Sequence, residues 1–174
     1  MVALTSYVTV SWFLIVKTAR QIRLFITARR VIIVGTSMIP TLFPGECVLF
    51  DPHAYTSDKP KLGDTVLVEN PSSQPKIIIK VVAGIPGNNI RITMGGVFIN
   101  NTLSTIIDPH ISTRKDSTSE WSLKAEEYFL LGKNLDSSTD SRQLGPFSEN
   151  SIKARAWIVL WPIGQWRAIK GQSH

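Results

Sequence analysis

From Val31 onward the apolar residues of this chain fall in short runs, many of them β-branched, and each run is closed within a few residues by glycine or proline. That punctuation leaves little room for long helices and favours strands joined by tight turns. Residues 31–34, 47–50, 65–68, 76–83, 127–131 and 156–161 are expected to be strands, with Pro44-Gly45, Gly63-Asp64 and Gly84-Ile85-Pro86-Gly87 among the turns. Residues 91–93 and 97–99 flank Met94-Gly95-Gly96, a hairpin in which glycine supplies the positive φ. The expected fold class is mainly β. A chain of 174 residues buries one ordinary core but not two independent ones. Residues 31–174 are therefore read as a single domain. Within it, 108–124, rich in Ser, Thr, Asp and Lys, reads as a polar excursion forming a surface loop.

Residues 1–30 have a different character. Residues 2–16 carry no charge and include Tyr7, Trp12 and Phe13. As a helix this stretch is roughly 22 Å long, against roughly 30 Å of bilayer hydrocarbon. A short anchor, an interfacial helix and a core helix all fit that length. Lys17, Arg20, Arg23, Arg29 and Arg30 follow it, which points to lipid headgroups and makes residues 1–30 a membrane-associated segment with a basic flank. A cleavable leader carries its charges before the apolar stretch, the reverse of the order here.

The formal charge of +6 is concentrated in that flank, whereas the rest of the chain mixes its signs. An anionic membrane surface is therefore a better partner than nucleic acid. Cys47 is the only cysteine, so no intramolecular disulfide or cysteine-rich metal site can form, and it reads as a small buried hydrophobe. His53, His110 and His174 lack metal-motif spacing, so no metal or other cofactor is expected.

Two residues carry the chemistry. Ser37 lies in Gly35-Thr36-Ser37-Met38-Ile39-Pro40-Thr41-Leu42, and Lys80 follows Ile77-Ile78-Ile79. Taken singly, Ser37 reads as a turn-capping hydroxyl and Lys80 as a solvated strand-edge lysine. A lysine near its ordinary pKa of roughly 10.4 is no base at neutral pH. Among branched apolar residues, however, desolvation disfavours the ammonium and lets the amine take a serine proton.

Four segments, in order, resemble the boxes of the type I signal peptidases, serine-lysine endopeptidases that remove leader peptides from exported proteins. Ser37-Met38-Ile39-Pro40-Thr41-Leu42 is similar to the nucleophile box and Gly63-Asp64-Thr65-Val66 to the short box after it. Lys80-Val81-Val82-Ala83-Gly84-Ile85-Pro86-Gly87-Asn88 is similar to the general-base box. The segment from Gly132 to Arg142, followed by Gly145-Pro146, is similar to the last box. The resemblance implies antiparallel β-sheets of the signal-peptidase type with a short N-terminal apolar helix. It makes Ser37 the nucleophile, Lys80 the general base and Ser138 the hydroxyl that orients the amine. Asp140 and Arg142 become an ion pair supporting the turn, and Met38 a residue lining the substrate cleft.

The sequence departs from that pattern at two linked places. Val81 stands where many members have arginine, and Lys133 where they have aspartate, so a salt bridge is lost as a pair and no single buried charge is stranded. That implies altered packing in a working enzyme. Gly35 stands where some relatives offer a serine hydroxyl to the oxyanion, and Asn88 where aspartate is frequent.

The implied substrates are preproteins with small residues at the first and third positions before the cut, bound as an added strand. The implied address is the plasma or inner membrane, with the domain on the extracytoplasmic face. A basic flank after the apolar stretch runs against that orientation, and the mitochondrial inner membrane is the alternative that relieves the conflict. Exposed apolar contact with lipid near the cleft is offered by Leu42, Phe43, Trp157, Trp161 and Trp166, with core packing preferred for Trp157. The rival readings are a pilin-type maturation peptidase with the same chemistry and a non-catalytic leader-binding homologue. A Ser-His-Asp hydrolase is disfavoured because no Gly-x-Ser-x-Gly elbow occurs.

Overall fold

The computed structural model describes residues 22–70, 76–107, 118–169 and 171. In chain order its strands are β1 (Arg29–Ile32), β2 (Cys47–Asp51), β3 (Thr65–Glu69), β4 (Ile77–Gly84), β5 (Asn89–Thr93), β6 (Gly96–Ile99), β7 (Thr102–Leu103), β8 (Ser119–Ser122), β9 (Glu127–Leu131), β10 (Phe147–Ser148), β11 (Ile152–Trp161) and β12 (Arg167–Ala168). The larger sheet runs β1-β2-β11-β3-β4-β9-β10, with β12 added to β11, and a four-stranded sheet runs β7-β6-β5-β8. Neighbouring strands pair antiparallel throughout. The expected mainly β, antiparallel architecture is what the chain adopts.

The central strands are apolar without alternation because both of their faces are covered. Successive side chains on a strand point to opposite faces. Leu67, Val81, Ala83, Phe129 and Leu131 accordingly join one core cluster, which extends into the small sheet through Ile90, Ile92, Val97 and Ile99. Val66, Val68, Val82, Tyr128 and Leu130 join a second cluster on the other face. A buried strand must satisfy its main chain within the sheet, and β3 does so between β4 and β11.

Several expectations change. The polar excursion is not all loop: residues 108–117 lie outside the described residues, but 119–122 form β8 against β5. Trp121 holds that strand, its ring centroid 4.7 Å from that of Phe129, which joins the small sheet to the large one. Cys47 is only partly buried, because it opens β2 at the end of the sheet between Ile32 and Trp161. The last long strand begins at Ile152, and the two-residue strands β7, β10 and β12 carry too little pattern to read from sequence.

Residues 2–16 lie outside the described residues. Residues 22–27 are helical, and Leu24 is buried there. Phe25 meets Trp157 edge-on at 6.1 Å, so Trp157 packs against protein. Among the described residues no helix is long and apolar enough to cross a membrane.

Candidate active site

Lys80 sits in the middle of β4, paired with Val66 of β3, and is only 4% exposed. A lysine is driven that deep only if its amine finds a partner. Lys80 Nζ donates to Ser138 Oγ at 3.0 Å. Burial pushes the lysine pKa down; the nearby Asp140 charge opposes that and the Arg142 charge adds to it, leaving the pKa below the ordinary lysine value.

Ser138 is presented by a compact loop after β9. A single 3-10 turn, Leu135–Ser137, ends at Ser138 in extended conformation, and a short helix, Ser141–Leu144, follows. Asp140 organises the loop. It caps that helix in a reciprocal capping box with Gln143 and accepts from Gly132 N at 3.0 Å. Its two oxygens also receive Arg142 Nε at 2.8 Å and Arg142 Nη2 at 3.0 Å. Arg142 Nη2 donates further to Leu135 O at 2.6 Å and Ser138 O at 3.1 Å, so one guanidinium ties both ends of the turn. Asp140 is fully buried, and this set of donors makes its burial tolerable.

Ser37 occupies the turn between β1 and β2. Bonds from Ile39 N to Thr36 O at 3.2 Å and from Leu42 N to Met38 O at 2.9 Å close the turn. The loop that carries Ser138 reaches the same place, because Asn134 N donates to Ser37 O at 2.9 Å. Gly132 makes that approach possible: a Cβ there would collide with Ser138 Oγ and come within 2.8 Å of Ser37 O. Ser37, Lys80 and Ser138 therefore converge on one loop. Among the described residues no hydrogen bond joins the Ser37 hydroxyl directly to the Lys80 amine, and free active sites often show such contacts only once loaded.

Met38, expected at the substrate cleft, is 2% exposed and belongs to the main core cluster. Leu42 is likewise fully buried, so of the Leu42-Phe43 pair only Phe43 faces outward. Gly35 has φ +89°, a left-handed conformation that a serine would adopt only with strain.

The two departures from the family pattern pack separately. Val81 is fully buried in the core, and Lys133 Nζ donates to the Ile106 carbonyl oxygen, tying the loop to the segment that follows β7. Burial lowers the Lys133 pKa. Asn88 Oδ1 accepts from Ile85 N at 3.1 Å, so the amide serves the turn without a charge. Asp64 of the second box accepts from Tyr55 Oη at 2.9 Å and Lys61 N at 3.0 Å. It lines a cavity of about 210 Å³ with Asp51, Thr65 and Arg155, and neither Ser37 nor Lys80 borders that cavity. No cluster of three or more potential metal ligands occurs among the described residues.

Sequence reasoning missed the second carboxylate-guanidinium pair. Glu46, 2% exposed, closes the turn that carries Ser37 by accepting from Phe43 N at 3.0 Å and pairs with Arg167 of β12. Nothing local announces a partner so far along the chain. Two further features flank the site. Among the described residues the Ile77–Ile79 stretch of β4 pairs with β3 on one side only, since β9 joins at Val81. Ile32, Val34, Phe43, Trp161, Ile163 and Trp166 are all exposed, and Ile32 and Trp161 flank Cys47 in adjacent strands.

Residues 5–161 match the family described as Signal peptidase, peptidase S26. The chain is 29% identical over 158 residues to "Signal peptidase I" of Leptolyngbya laminosa, an alignment covering 84% of this chain and 75% of that one. It is 31% identical over 134 residues to "Mitochondrial inner membrane protease subunit 1" of Schizosaccharomyces pombe, covering 76% and 73%. A crystal structure of a signal peptidase I from Enterococcus faecalis aligns with a TM-score of 0.44 at 22% identity, over 59% of this chain and 97% of that one.

Proposed function

The chain belongs to the signal peptidase family, peptidase S26, a family of serine peptidases, and we propose that it cleaves N-terminal leader peptides from exported preproteins with Ser37 as nucleophile and neutral Lys80 as general base. The observation that carries this reading is the buried Lys80 amine, held by Ser138 at 3.0 Å and shifted toward the neutral form. Ser37 Oγ attacks the scissile carbonyl while Lys80 takes its proton. Lys80 then returns that proton to the leaving amine, and a water deprotonated by the same amine hydrolyses the acyl-enzyme. Ser138 keeps the amine aimed, and Asp140 with Arg142 keeps Ser138 in place. The Ser37 main-chain N-H is the first oxyanion donor.

The edge of Ile77–Ile79, directly before Lys80 and unpaired on one side among the described residues, suits an extended substrate added as a strand. Small residues at the first and third positions before the cut fit that mode. The exposed Phe43, Trp161 and Trp166 suit contact with lipid, where aromatic side chains favour the interface. The plasma or inner membrane is the proposed address, and the mitochondrial inner membrane remains its alternative, supported by the relative that carries that membrane in its name.

Incubation with a model preprotein in detergent or lipid tests this reading. Wild type is expected to cleave at one site, Ser37→Ala to fall to background, and Lys80→Met to lose roughly 10²- to 10⁴-fold. Because the neutral amine is the active form and its pKa is lowered, kcat/KM should rise with pH through a midpoint below the ordinary lysine value. A wild type that binds leader peptide without cutting it would leave a non-catalytic homologue. Equal cleavage by wild type and both variants would remove Ser37 and Lys80 from the chemistry.

A further inference from the structure

We propose that Arg167 is a positioning residue for Ser37, acting through Glu46 and the Thr41 carbonyl; the inference rests on the Ser37-Lys80 reading above. The turn that carries Ser37 leaves the end of the sheet between β1 and β2; bonds from Ile33 N to Glu46 O at 2.8 Å and from Gly45 N to Ile33 O at 2.9 Å hold its base to β1, and Met38 and Leu42 pack into the core. Asn134 N to Ser37 O ties the near end of the turn to the loop that carries Ser138. A further tie from a distant strand lies at the far end. Arg167 Nη1 donates to Glu46 Oε1 at 2.7 Å, and Arg167 Nη2 donates to Glu46 Oε2 at 2.8 Å and to Thr41 O at 2.8 Å.

A planar fork held by both carboxylate oxygens has one direction, so it fixes where Thr41 O must lie. Leu42 N to Met38 O passes that constraint to the residue next to Ser37. Arg167 itself is held by β12, where it pairs with Val159 of β11, and by a bond from Nη1 to Gln165 O at 3.2 Å. Arg167 also lies beyond residues 5–161, the stretch that matches the family. The brace is thus supplied by this chain's own C-terminal strand to a turn that the family match includes.

Two variants separate positioning from simple stability. Arg167→Met strips the counterion from buried Glu46 and is expected to lower Tm. The pair Glu46→Gln with Arg167→Met removes both charges together and should recover much of that Tm, yet it still lacks the bond to Thr41 O. Both are expected to lose roughly 10- to 100-fold in kcat on a quenched leader-peptide substrate, with KM unchanged, when assayed at temperatures where each is folded. Amide exchange at Leu42 should accelerate in both, and Arg167→Lys should rescue only part of the loss because it lacks the fork. Wild-type kcat in the double variant, or kcat falling only with the folded fraction, would overturn the proposal. An inactive wild type would instead defeat the catalytic reading, and unchanged Leu42 exchange in both variants would defeat the brace whatever the activity.

Discussion

The loop that presents Ser138 to Lys80 and the turn that carries Ser37 use the same device, a buried carboxylate gripped by an arginine fork, and build it in opposite ways. In the Ser138 loop, Asp140 and Arg142 are two residues apart, and nearly all their bonds go to residues 132–143. In the Ser37 turn, Glu46 meets an arginine 121 positions away. Asp140 is sealed, with its arginine side chain 17% exposed, whereas Arg167 is 36% exposed at the end of the sheet. The Ser138 loop is therefore braced from within, whereas the Ser37 turn, besides its local bonds to Ile33, takes a brace that reaches it only once the large sheet has closed. One loop braced by its own residues facing a turn braced by a distant strand is the lesson of the difference.

The sharpest way to break the comparison is to remove the carboxylate of the sealed pair. Asp140→Ala strands Arg142 and unties Gly132, and should cost about 3–5 kcal/mol in denaturant titrations. The loss should exceed that of Arg167→Met, whose surroundings water can reach; equal losses would mean that exposure does not distinguish the two braces. Next comes the seam between the loops. Gly132→Ala drives a methyl into Ser138 and Ser37 O, and kcat should fall roughly 10²-fold, the usual consequence of misplacing reacting groups by about 1 Å. A rise in KM alone would show that the seam serves binding.

Ser138→Ala leaves the Lys80 amine without its acceptor. It should lower kcat roughly 10-fold, corresponding to about 1–2 kcal/mol for one buried hydrogen bond. A neutral outcome would make burial alone sufficient to aim the Lys80 amine.

The smallest effect is the acid response of the Glu46 brace. Burial raises the Glu46 pKa, but the Arg167 hydrogen bonds and charge, together with Phe43 N, outweigh it and leave the carboxyl below its ordinary value. A depressed folded pKa contributes stability that is fully present above the unfolded pKa and is lost as pH falls through the folded value. Stability should therefore decline below about pH 4.5. Glu46→Gln should flatten that part of the profile in thermal melts.

The same contrast explains what could be read in advance. Strands 47–50, 65–68 and 127–131 were legible because continuous apolar runs between turn residues mean burial on both faces. Ser37, Lys80, Ser138, Asp140 and Arg142 could be named together because they fall in three short segments resembling known boxes. β8 was not legible, since Ser119, Glu120 and Ser122 read as loop and only Trp121, landing on Phe129, makes the strand worthwhile. The resemblance implies a cleft position for Met38, and its burial in the core depends on packing that no local segment reveals.

By itself the sequence determined a mainly β chain, an uncharged stretch with a basic flank, and the segments that carry a serine and a lysine of one peptidase family. These are local properties of composition, turn chemistry and short motifs. Only the tertiary structure decided that Lys80 is buried against Ser138, that Gly132 is the seam where the two loops touch, and that Arg167 reaches back to Glu46 and Thr41. Each of these depends on strands distant in sequence becoming neighbours in a sheet, and desolvation and directed hydrogen bonds arise only after that closure.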